Sequence, residues 1–211
     1  MSTPELDPEV RLILATHNAH KVEELRAILT DAIPGFQPQW LASAAGLGMP
    51  EPVEDGVTFA QNALIKARAV VAATGLPAIA DDSGICVDVL GGAPGIFSAR
   101  WAGSHGNDQA NLDLLLDQLS DIAPEHRGAA FVAAAALVLP DGTDYVELGE
   151  VRGQLLFARQ GEGGFGYDPI FQPEGYEVST AQLDPAEKNQ ISHRGRAFRA
   201  LAPRLLPILP L

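Results

Sequence analysis

The sequence predicts an α/β fold with a mixed central β-sheet flanked by helices, and three features of the chain carry this prediction. An apolar stretch typical of a buried strand opens the chain and is followed at once by helical periodicity. A second such strand follows a long amphipathic helix. Further on, two strand-like stretches flank a turn, as in a β-hairpin. Because strands and helices alternate early and a hairpin comes late, the sheet should contain both parallel and antiparallel strands.

The first half of the chain holds two pairs of a strand and a helix. Residues 10–15 are apolar and predict a buried strand, and residues 19–29 carry apolar side chains at helical spacing. A long helix is predicted from about residue 58 to residue 73, with an apolar stripe along one side. The second strand, residues 76–80, is predicted to end at the acidic pair Asp81-Asp82.

The second half adds a helix, a hairpin and a helical C-terminal stretch. Glycine-rich loops are predicted at residues 91–103 and 161–166. The regular elements are a helix at about 108–119, a strand at 129–139, its hairpin partner at 145–157 and a largely helical stretch at 185–206. Because no repeat or long linker interrupts the series, we expect one domain over residues 1–211, with residues 1–9 as a loose N-terminal tail.

The composition excludes several classes of protein. The 211 residues carry a formal net charge of −13, whereas a protein that binds a nucleic-acid polymer needs a basic face. A few local cations and a metal could still hold one small phosphorylated ligand. No apolar run is long enough to span a membrane, and the acidic start is unlike a signal peptide. With Cys86 as the single cysteine, we expect a cytoplasmic protein without internal disulfides.

Lysine is used sparingly and in particular places. Only Lys21, Lys66 and Lys188 occur, against eleven arginines, and each lies in a polar, motif-like segment. A lysine ammonium is a compact charge that suits a phosphate oxygen, whereas arginine offers a planar fork. The three lysines are therefore candidate phosphate ligands, with ordinary surface lysines as the alternative.

Polar residues follow both predicted strands of the first half. Thr16, His17 and Asn18 open the first helix, where free N–H groups and the helix dipole favour an anion that Lys21 could also reach. The alternative is a capped helix with a solvated lysine. The acidic pair after the second strand is costly to bring together without a cation, and its oxygens suit Mg²⁺. The alternative there is a turn capped by aspartates.

A glycine-rich segment at residues 163–169 carries two aromatic rings and a carboxylate. The glycines permit close approach to a planar ligand, and Phe165 or Tyr167 could stack on a base. Asp168 could accept hydrogen bonds from ring N–H groups. Further donors follow at Lys188, His193 and Arg194. The alternatives are hairpin packing for the aromatics and a structural role for the histidine.

Together these stretches resemble the inosine/xanthosine triphosphate pyrophosphatases, also called non-canonical purine NTP pyrophosphatases. The matching segments are LILATHNAHKVEEL, EDGVTFAQNALIKA, AIADDSGICVDVLGGAPGIFSARWAG, GFGYDPIF and EKNQISHRGRA. They occur in the family's order from Leu12 to about Ala197, and the combination is highly specific. The resemblance implies an elongated fold with two lobes and a cleft between them, Mg²⁺ dependence, a homodimer, and cleavage of ITP, dITP and XTP to the monophosphate and pyrophosphate.

Matched by position, the resemblance also implies roles for individual residues. The phosphate-binding turn is matched by Thr16, His17, Asn18, Ala19, His20 and Lys21. Glu54 and Asp82 match the metal carboxylates, with Asp82 as the general base, and Ser83 matches a substrate contact. Lys66 is expected to hold phosphate oxygens together with the other two lysines. The base-recognition and phosphate set is matched by Phe165, Gly166, Tyr167, Asp168, Lys188, His193 and Arg194.

The chain departs from the family pattern at three positions. His20 stands where glycine is common, and Gln61 and Gln182 stand where glutamate is usual, which predicts a thinner acidic shell around the metal. Two other functions are alternatives. A nucleotide sensor that binds without turnover would not need a water-activating carboxylate. A Maf-type pyrimidine triphosphate pyrophosphatase would carry a turn rich in Ser, Pro and Arg in place of THNAHK.

Overall fold

The computed structural model describes residues 7–211, apart from the side chains of residues 19 and 20. Most of the predicted N-terminal tail lies outside the described residues. The chain divides into two compact units. Unit 1 comprises residues 7–82, 134–149 and 194–211, and unit 2 comprises residues 83–133 and 150–193.

A mixed β-sheet confirms the predicted fold class. Within residues 7–211 its strands are β1 (Leu12–Leu14), β2 (Leu41–Ser43), β3 (Ala78–Val87), β4 (Gly128–Val138), β5 (Asp144–Leu155) and β6 (Phe171–Pro173). They lie in the order β2-β1-β3-β4-β5-β6. Strand β1 pairs in parallel with both β2 and β3, whereas β5 and β6 are antiparallel. Parallel pairing therefore belongs to the early strands and antiparallel pairing to the late ones, as the sequence predicts.

The α-helices of the described residues flank this sheet. They are α1 (Ala19–Ala32), α2 (Phe59–Thr74), α3 (Asp108–Gln118), α4 (Pro185–Ile191) and α5 (His193–Leu205). At the start of α2, the Thr58 hydroxyl accepts a hydrogen bond from Gln61 N at 3.2 Å, and Gly75 ends the helix with a φ of 70°. Among the described residues, none of the helices combines the length and the apolar character needed to cross a bilayer.

The core of unit 1 is built mainly from small side chains. Helix α2 contributes Ala63, Ala67 and Val70, which are at most 3% exposed. They pack against side chains of β1, β3 and β4, namely Ile13, Ala78, Ala80, Ala134, Ala136 and Val138. Alanines on the helix and on the strands let the two backbones lie close together. This packing fixes α2, so that polar residues beside its apolar stripe are held next to the strand ends.

The core of unit 2 uses larger side chains. It brings residues of α3, β3, β4, β5 and β6 together with the loop before β6, and includes Ile85, Val87, Leu112, Leu115, Val151, Tyr167 and Phe171. Arg127 is 1% exposed and donates to the backbone oxygens of Leu155 at 2.8 Å and Leu156 at 2.9 Å. A buried cation thus satisfies the backbone where β5 ends.

Three local features differ from the sequence prediction. The strand predicted to end before Asp81 continues to Val87, because Gly84 allows close packing against Gly95 and Ser98 and because the buried acid is neutralised by cations. Strands β2 and β6 were not predicted, since three residues are too few to show a periodicity. The C-terminal helical stretch is two helices, separated by an extended Ser192 with a ψ of 147°.

Candidate active site

The turn between β1 and α1 is organised by its own polar side chains. The Thr16 hydroxyl accepts a hydrogen bond from Asn18 N at 3.2 Å, and the Asn18 side-chain oxygen accepts one from Lys21 N at 3.4 Å. Helix α1 starts at Ala19, so the turn lies at a helix N-terminus as predicted, where backbone N–H groups favour an anion. The side chains of Ala19 and His20 lie outside the described residues, and their assigned roles stay predictions.

His17 connects this turn to the loop of residues 49–57, which carries Glu54. Its Nε2 lies 2.6 Å from the backbone oxygen of Met49, and its Nδ1 lies 3.0 Å from Glu51 Oε1. Both partners are acceptors, so the ring fills both contacts only when each nitrogen carries a proton. The imidazole is therefore a tether between the turn and the loop.

Asp81 is the centre of a buried ionic network in unit 1. Its Oδ2 accepts a hydrogen bond from Arg194 Nε at 2.9 Å and lies 3.2 Å from Lys21 Nζ. Arg194 donates in turn from its NH1 group to Glu24 Oε2 at 2.7 Å. Asp81 and Arg194 are only 3% and 2% exposed, so each buried charge depends on the opposite one. The network joins α1, β3 and α5.

Asp82, the next residue, belongs to a second and more open group. Lys66 Nζ lies 3.3 Å from Asp82 Oδ1 and 3.2 Å from Glu54 Oε1. Asn62 Nδ2 donates to Asp82 Oδ2 at 3.1 Å. Asn62 and Lys66 are four residues apart on α2 and share one helix face. The two carboxylates predicted to bind a metal thus converge on one ammonium group.

The two adjacent aspartates have opposite pKa shifts. Burial alone would raise the pKa of both. At Asp81 the neighbouring cations Arg194 and Lys21 outweigh burial and hold the pKa well below its ordinary value. At Asp82 burial outweighs the attraction of Lys66, and the pKa is raised. When their surroundings shift the pKa values of two neighbouring carboxyl groups in opposite directions, the two groups are suited to different roles. Here Asp81 is suited to be a fixed anion and Asp82 a proton acceptor.

The two lysines of unit 1 also differ. Burial lowers the pKa of Lys21, and the attraction of Asp81 compensates only in part. Burial would lower the pKa of Lys66 too, but the carboxylates of Asp82, Asp81 and Glu54 outweigh it and raise the pKa. Lys66 therefore stays protonated and positively charged between two acids.

Glu54 and Asp82 suit a divalent cation that a phosphorylated ligand would share. Mg²⁺ is usually held by one or two protein carboxylates together with substrate phosphates and water. Two hard oxygen donors of this kind converge on the position of the Lys66 ammonium. Among the residues that the structure describes, no cluster of three or more His, Cys, Asp or Glu side chains is arranged for a metal. The donor set suits a cation shared with substrate.

In unit 2 the carboxylate of Asp168 organises the glycine-rich loop. Its Oδ2 accepts a hydrogen bond from Phe165 N at 2.8 Å and pairs with the Lys188 ammonium, while Oδ1 accepts from the Thr180 hydroxyl at 3.0 Å. Gly164 has a φ of 73°, and a Cβ at this position would overlap the Asp168 carboxylate. The acid therefore fixes the path of the loop.

The two aromatic residues of this loop play different parts. Phe165 is 43% exposed, and the Lys188 ammonium lies 5.0 Å from its ring centroid. Tyr167 is 5% exposed, and its hydroxyl donates to the backbone oxygen of Ser98 at 2.8 Å. Phe165 is thus the ring suited to stack on a planar base, whereas Tyr167 takes the packing role that the sequence left as an alternative.

The remaining predicted residues lie close to these groups in the chain. The His193 ring stacks on Phe131, with ring centroids 4.9 Å apart and an interplanar angle of 11°. Gly166 N donates to Asp108 Oδ2 at 3.2 Å. Ser83 lies in β3 directly after Asp82. Stacking sets the plane of the imidazole, and the hydrogen bond of Gly166 anchors the loop beside Phe165.

Two of the predicted substrate contacts, Arg194 and Asp168, also bond within the protein, and their predicted roles toward substrate stay predictions. Sequence matching assigns Arg194 to base and phosphate recognition, but its guanidinium is buried and bonded to Asp81 and Glu24. Asp168 was interpreted as an acceptor for the base, but its carboxylate is 5% exposed and already accepts from three groups of unit 2. In this geometry both residues hold other site residues in place.

The two glutamines that depart from the family pattern are capping residues. Gln61 Oε1 accepts a hydrogen bond from Val57 N at 2.7 Å, just before α2. Gln182 Oε1 accepts one from Ser179 N at 3.0 Å within a capping box. Glutamine and glutamate both act as acceptors in such boxes, so the substitutions keep these contacts. These hydrogen bonds give both glutamines a local structural role, and the thinner acidic shell around the metal stays a prediction.

Two residues that contact site residues were not predicted from the sequence: Glu24 and Thr180. Asn62, by contrast, lies four residues before Lys66, and this spacing predicts that the two share one face of α2 at the edge of its apolar stripe, as observed. Glu24 lies one helical turn after Lys21, and the same kind of spacing could have identified it. No local pattern points to Thr180, which reaches the carboxylate of Asp168 only through the fold.

Ammonium groups beside carboxylates suited to a divalent cation are an arrangement that fits the hydrolysis of a phosphoanhydride. The family model described as the Ham1 family matches residues 12–204. The chain is therefore a member of the Ham1 family.

Relatives of known name agree with this membership. The chain is 63% identical over 199 residues to the dITP/XTP pyrophosphatase of Streptomyces coelicolor, a match that covers 94% of this chain and 98% of that protein. A solved structure from Mycobacterium abscessus, named nucleoside-triphosphatase / dITP/XTP pyrophosphatase, is 49% identical with a TM-score of 0.74 and coverage of 91% and 98%. The Ham1 protein of Staphylococcus aureus is 36% identical with a TM-score of 0.81 and coverage of 93% and 98%.

Proposed function

We propose that this chain is a Mg²⁺-dependent pyrophosphatase that hydrolyses ITP, dITP and XTP to the nucleoside monophosphate and pyrophosphate, and so removes deaminated purines from the nucleotide pool. The observation that carries the proposal is the convergence of Glu54 and Asp82 on the Lys66 ammonium, directly beside the pair of Lys21 and Asp81. The 63% identity to a protein named dITP/XTP pyrophosphatase supports the substrate class.

In unit 1 the triphosphate is held by cations and by the turn before α1. Lys21 and Lys66 bind phosphate oxygens. The backbone N–H groups at residues 16–21 bind the phosphate oxygens that the two lysines do not contact. Asp82 accepts the proton of the attacking water as the α–β phosphoanhydride bond breaks. Its raised pKa brings the carboxylate closer to neutral pH, where a general base works best.

Glu54 and Asp82 are the residues that would hold Mg²⁺. A divalent cation held by these two carboxylates would supply positive charge to the phosphate oxygens. When no metal is bound, Lys66 contacts both acids and keeps them close together. The positive charge of Lys66 then stays available to a phosphate oxygen, because its pKa is raised.

The base is recognised by residues of unit 2. Phe165 stacks on the purine, and His193 donates to the 6-keto oxygen. Lys188 holds phosphate oxygens, Gly166, Tyr167 and Asp168 shape the loop, and Ser83 adds a substrate contact. A 6-amino group offers no acceptor to the His193 donor. Each buried polar group left unpaired costs about 1–3 kcal/mol, so ATP should be a poor substrate.

The chain also fits a cytoplasmic homodimer in which units 1 and 2 form one functional domain. The family resemblance supports the dimer. The family matches extend through both units and support the single domain. Light scattering on the purified chain should give twice the monomer mass of 22.3 kDa, and a monomer would contradict the assembly.

Product analysis on a panel of nucleoside triphosphates tests the function. ITP, dITP, XTP, ATP, GTP, CTP and UTP are each incubated with and without Mg²⁺. We expect pyrophosphate from the first three and only in the presence of the metal. Sequential release of orthophosphate would indicate a phosphatase, a preference for CTP or UTP would indicate the Maf-type activity, and binding without turnover would indicate a sensor.

A further inference from the structure

Asn62 joins the two residues to which we assign the metal. It lies in the first turn of α2, and it is 1% exposed. Its Nδ2 donates to Asp82 Oδ2 at 3.1 Å. Its Oδ1 accepts from Gly56 N at 2.9 Å, and Gly56 lies two residues after Glu54. One buried amide therefore connects one carboxylate to the loop that carries the other.

We propose that Asn62 is a positioning residue for the reaction, which sets the distance between Asp82 and the loop of Glu54 so that both carboxylates can meet one divalent cation. The proposal rests on the function proposed above. An amide suits the position because the Asp82 carboxylate needs a donor and the Gly56 N–H needs an acceptor. Aspartate could satisfy only the Gly56 end, and leucine neither end.

The neighbourhood of Gly56 shows how closely the loop is fitted to Asn62. A Cβ at Gly56 would lie 2.6 Å from Asn62 Oδ1 and 2.7 Å from the Gln61 Cβ. Alanine at this position therefore forces the loop and the Asn62 amide apart. The Gly56→Ala variant disturbs the fit between the loop and the amide without replacing any side chain that contacts Asp82.

Asn111 provides a matched control in unit 2. It occupies the same position in the first turn of α3 as Asn62 does in α2, and it is also 1% exposed. Its Oδ1 accepts a hydrogen bond from a preceding loop amide, Ala102 N, at 2.7 Å. If Asn62 merely braced a loop at a helix start, Asn62 and Asn111 should respond alike to the same substitution.

The first measurement needs neither metal nor substrate. Amide hydrogen exchange at Gly56 is followed in the full chain for wild type, Asn62→Leu and Asn62→Asp. We expect exchange to be about fivefold faster or more in the leucine variant, since one buried hydrogen bond is lost, and unchanged in the aspartate variant, which keeps the acceptor. Wild-type protection of Gly56 in Asn62→Leu would overturn the proposal.

The second measurement separates positioning from bracing. With ITP and saturating Mg²⁺, Asn62→Asp should lose at least about tenfold in kcat, because Asp82 loses a donor and gains a like charge. Asn111→Asp should keep the wild-type kcat. Equal kcat values for Asn62→Asp and wild type, with Gly56 still protected, would reduce Asn62 to a brace.

The third measurement is direct binding of Mn²⁺ alone, observed by electron paramagnetic resonance. Gly56→Ala and Asn62→Leu should both weaken binding severalfold, because the Glu54 loop is displaced, and unchanged binding in both would overturn the proposal. If wild type releases no pyrophosphate from ITP, the proposed function fails, while the exchange and Mn²⁺ measurements still decide the role of Asn62.

Discussion

Asp81 and Asp82 are neighbours in the chain, yet their surroundings differ in almost every respect. Asp81 is 3% exposed, is bonded to Arg194 and Lys21, and has a lowered pKa. The side chain of Asp82 is 14% exposed, is bonded to Lys66 and Asn62, and has a raised pKa. Both lie in β3, where successive side chains point to opposite faces. The backbone itself therefore separates the pair.

This difference shows that two adjacent acids in a strand can have separate roles, one structural and one chemical. Asp81, which the buried Arg194 and the partly buried Lys21 hold ionised, is a fixed part of the structure, because its protonation would weaken both ion pairs. The carboxylate with a raised pKa and partial exposure can exchange a proton and meet a metal. The following predictions separate the two, from the largest expected effect to the smallest.

Replacing Asp82 with asparagine should abolish most turnover while the fold survives. The change removes the proton acceptor and one metal ligand, and a positioned base alone contributes about 10²–10⁴-fold to a rate. Steady-state kinetics with ITP should show this loss in kcat, while calorimetry shows that the nucleotide still binds. A variant with nearly wild-type kcat would remove Asp82 from the mechanism.

Replacing Arg194 with leucine should act mainly on stability. Asp81 and Glu24 would lose their shared cation, and breaking a buried ion pair costs about 3–5 kcal/mol. Urea denaturation measures this change in the free energy of unfolding. Arg196→Leu, an exposed position on the same helix, is the control and should change it by less than about 1 kcal/mol. Equal stability of the two variants would contradict the network.

Lys66→Arg tests whether a compact ammonium is required between Glu54 and Asp82. The charge is kept, but a planar fork cannot occupy the same point between two acids and a phosphate. We expect kcat/KM for ITP to fall about tenfold, with little change in thermal stability. Initial rates over a range of ITP concentrations give the result, and unaltered kinetic constants would mean that lysine is incidental there.

His17→Ala should have the smallest effect, because the tether to Glu51 is partly exposed. Losing a contact of this kind costs about 0.5–1 kcal/mol, which should raise the half-saturating Mg²⁺ concentration about two- to fivefold. The kcat at saturating metal should be kept. Glu51→Gln should shift the metal titration in the same direction, and an unshifted titration in both variants would show that the loop is held without His17.

The sequence predicts the regular elements well where their periodicity is long. Helix α2 was predicted within one residue of its observed ends, because Thr58 and Gly75 mark them. The course of β3 was predicted less well, since three polar residues and a glycine interrupt its apolar pattern at 81–84. The compensation that lets the strand continue comes from Arg194, more than one hundred residues away, and no local pattern contains it.

In the candidate site, too, local sequence signals were predictive and tertiary contacts were not predicted. Each of the three lysines that the sequence singled out is paired with an aspartate, Lys21 with Asp81, Lys66 with Asp82 and Lys188 with Asp168. The sequence therefore identifies the three lysines as site residues. It does not identify their ion-pair partners, because the surroundings of Asp168, Asp81 and Asp82 depend on tertiary contacts.

Titration of the two carboxyl groups tests the central distinction most directly. In metal-free protein labelled with ¹³C at aspartate, carboxyl shifts are followed against pH, and the signals are assigned with the Asp81→Asn and Asp82→Asn variants. We expect Asp82 to titrate above the ordinary value of about 4, and Asp81 to stay ionised down to the lowest pH at which the protein is folded. The reverse order, or one common midpoint, would contradict the assignment of a fixed anion and a general base.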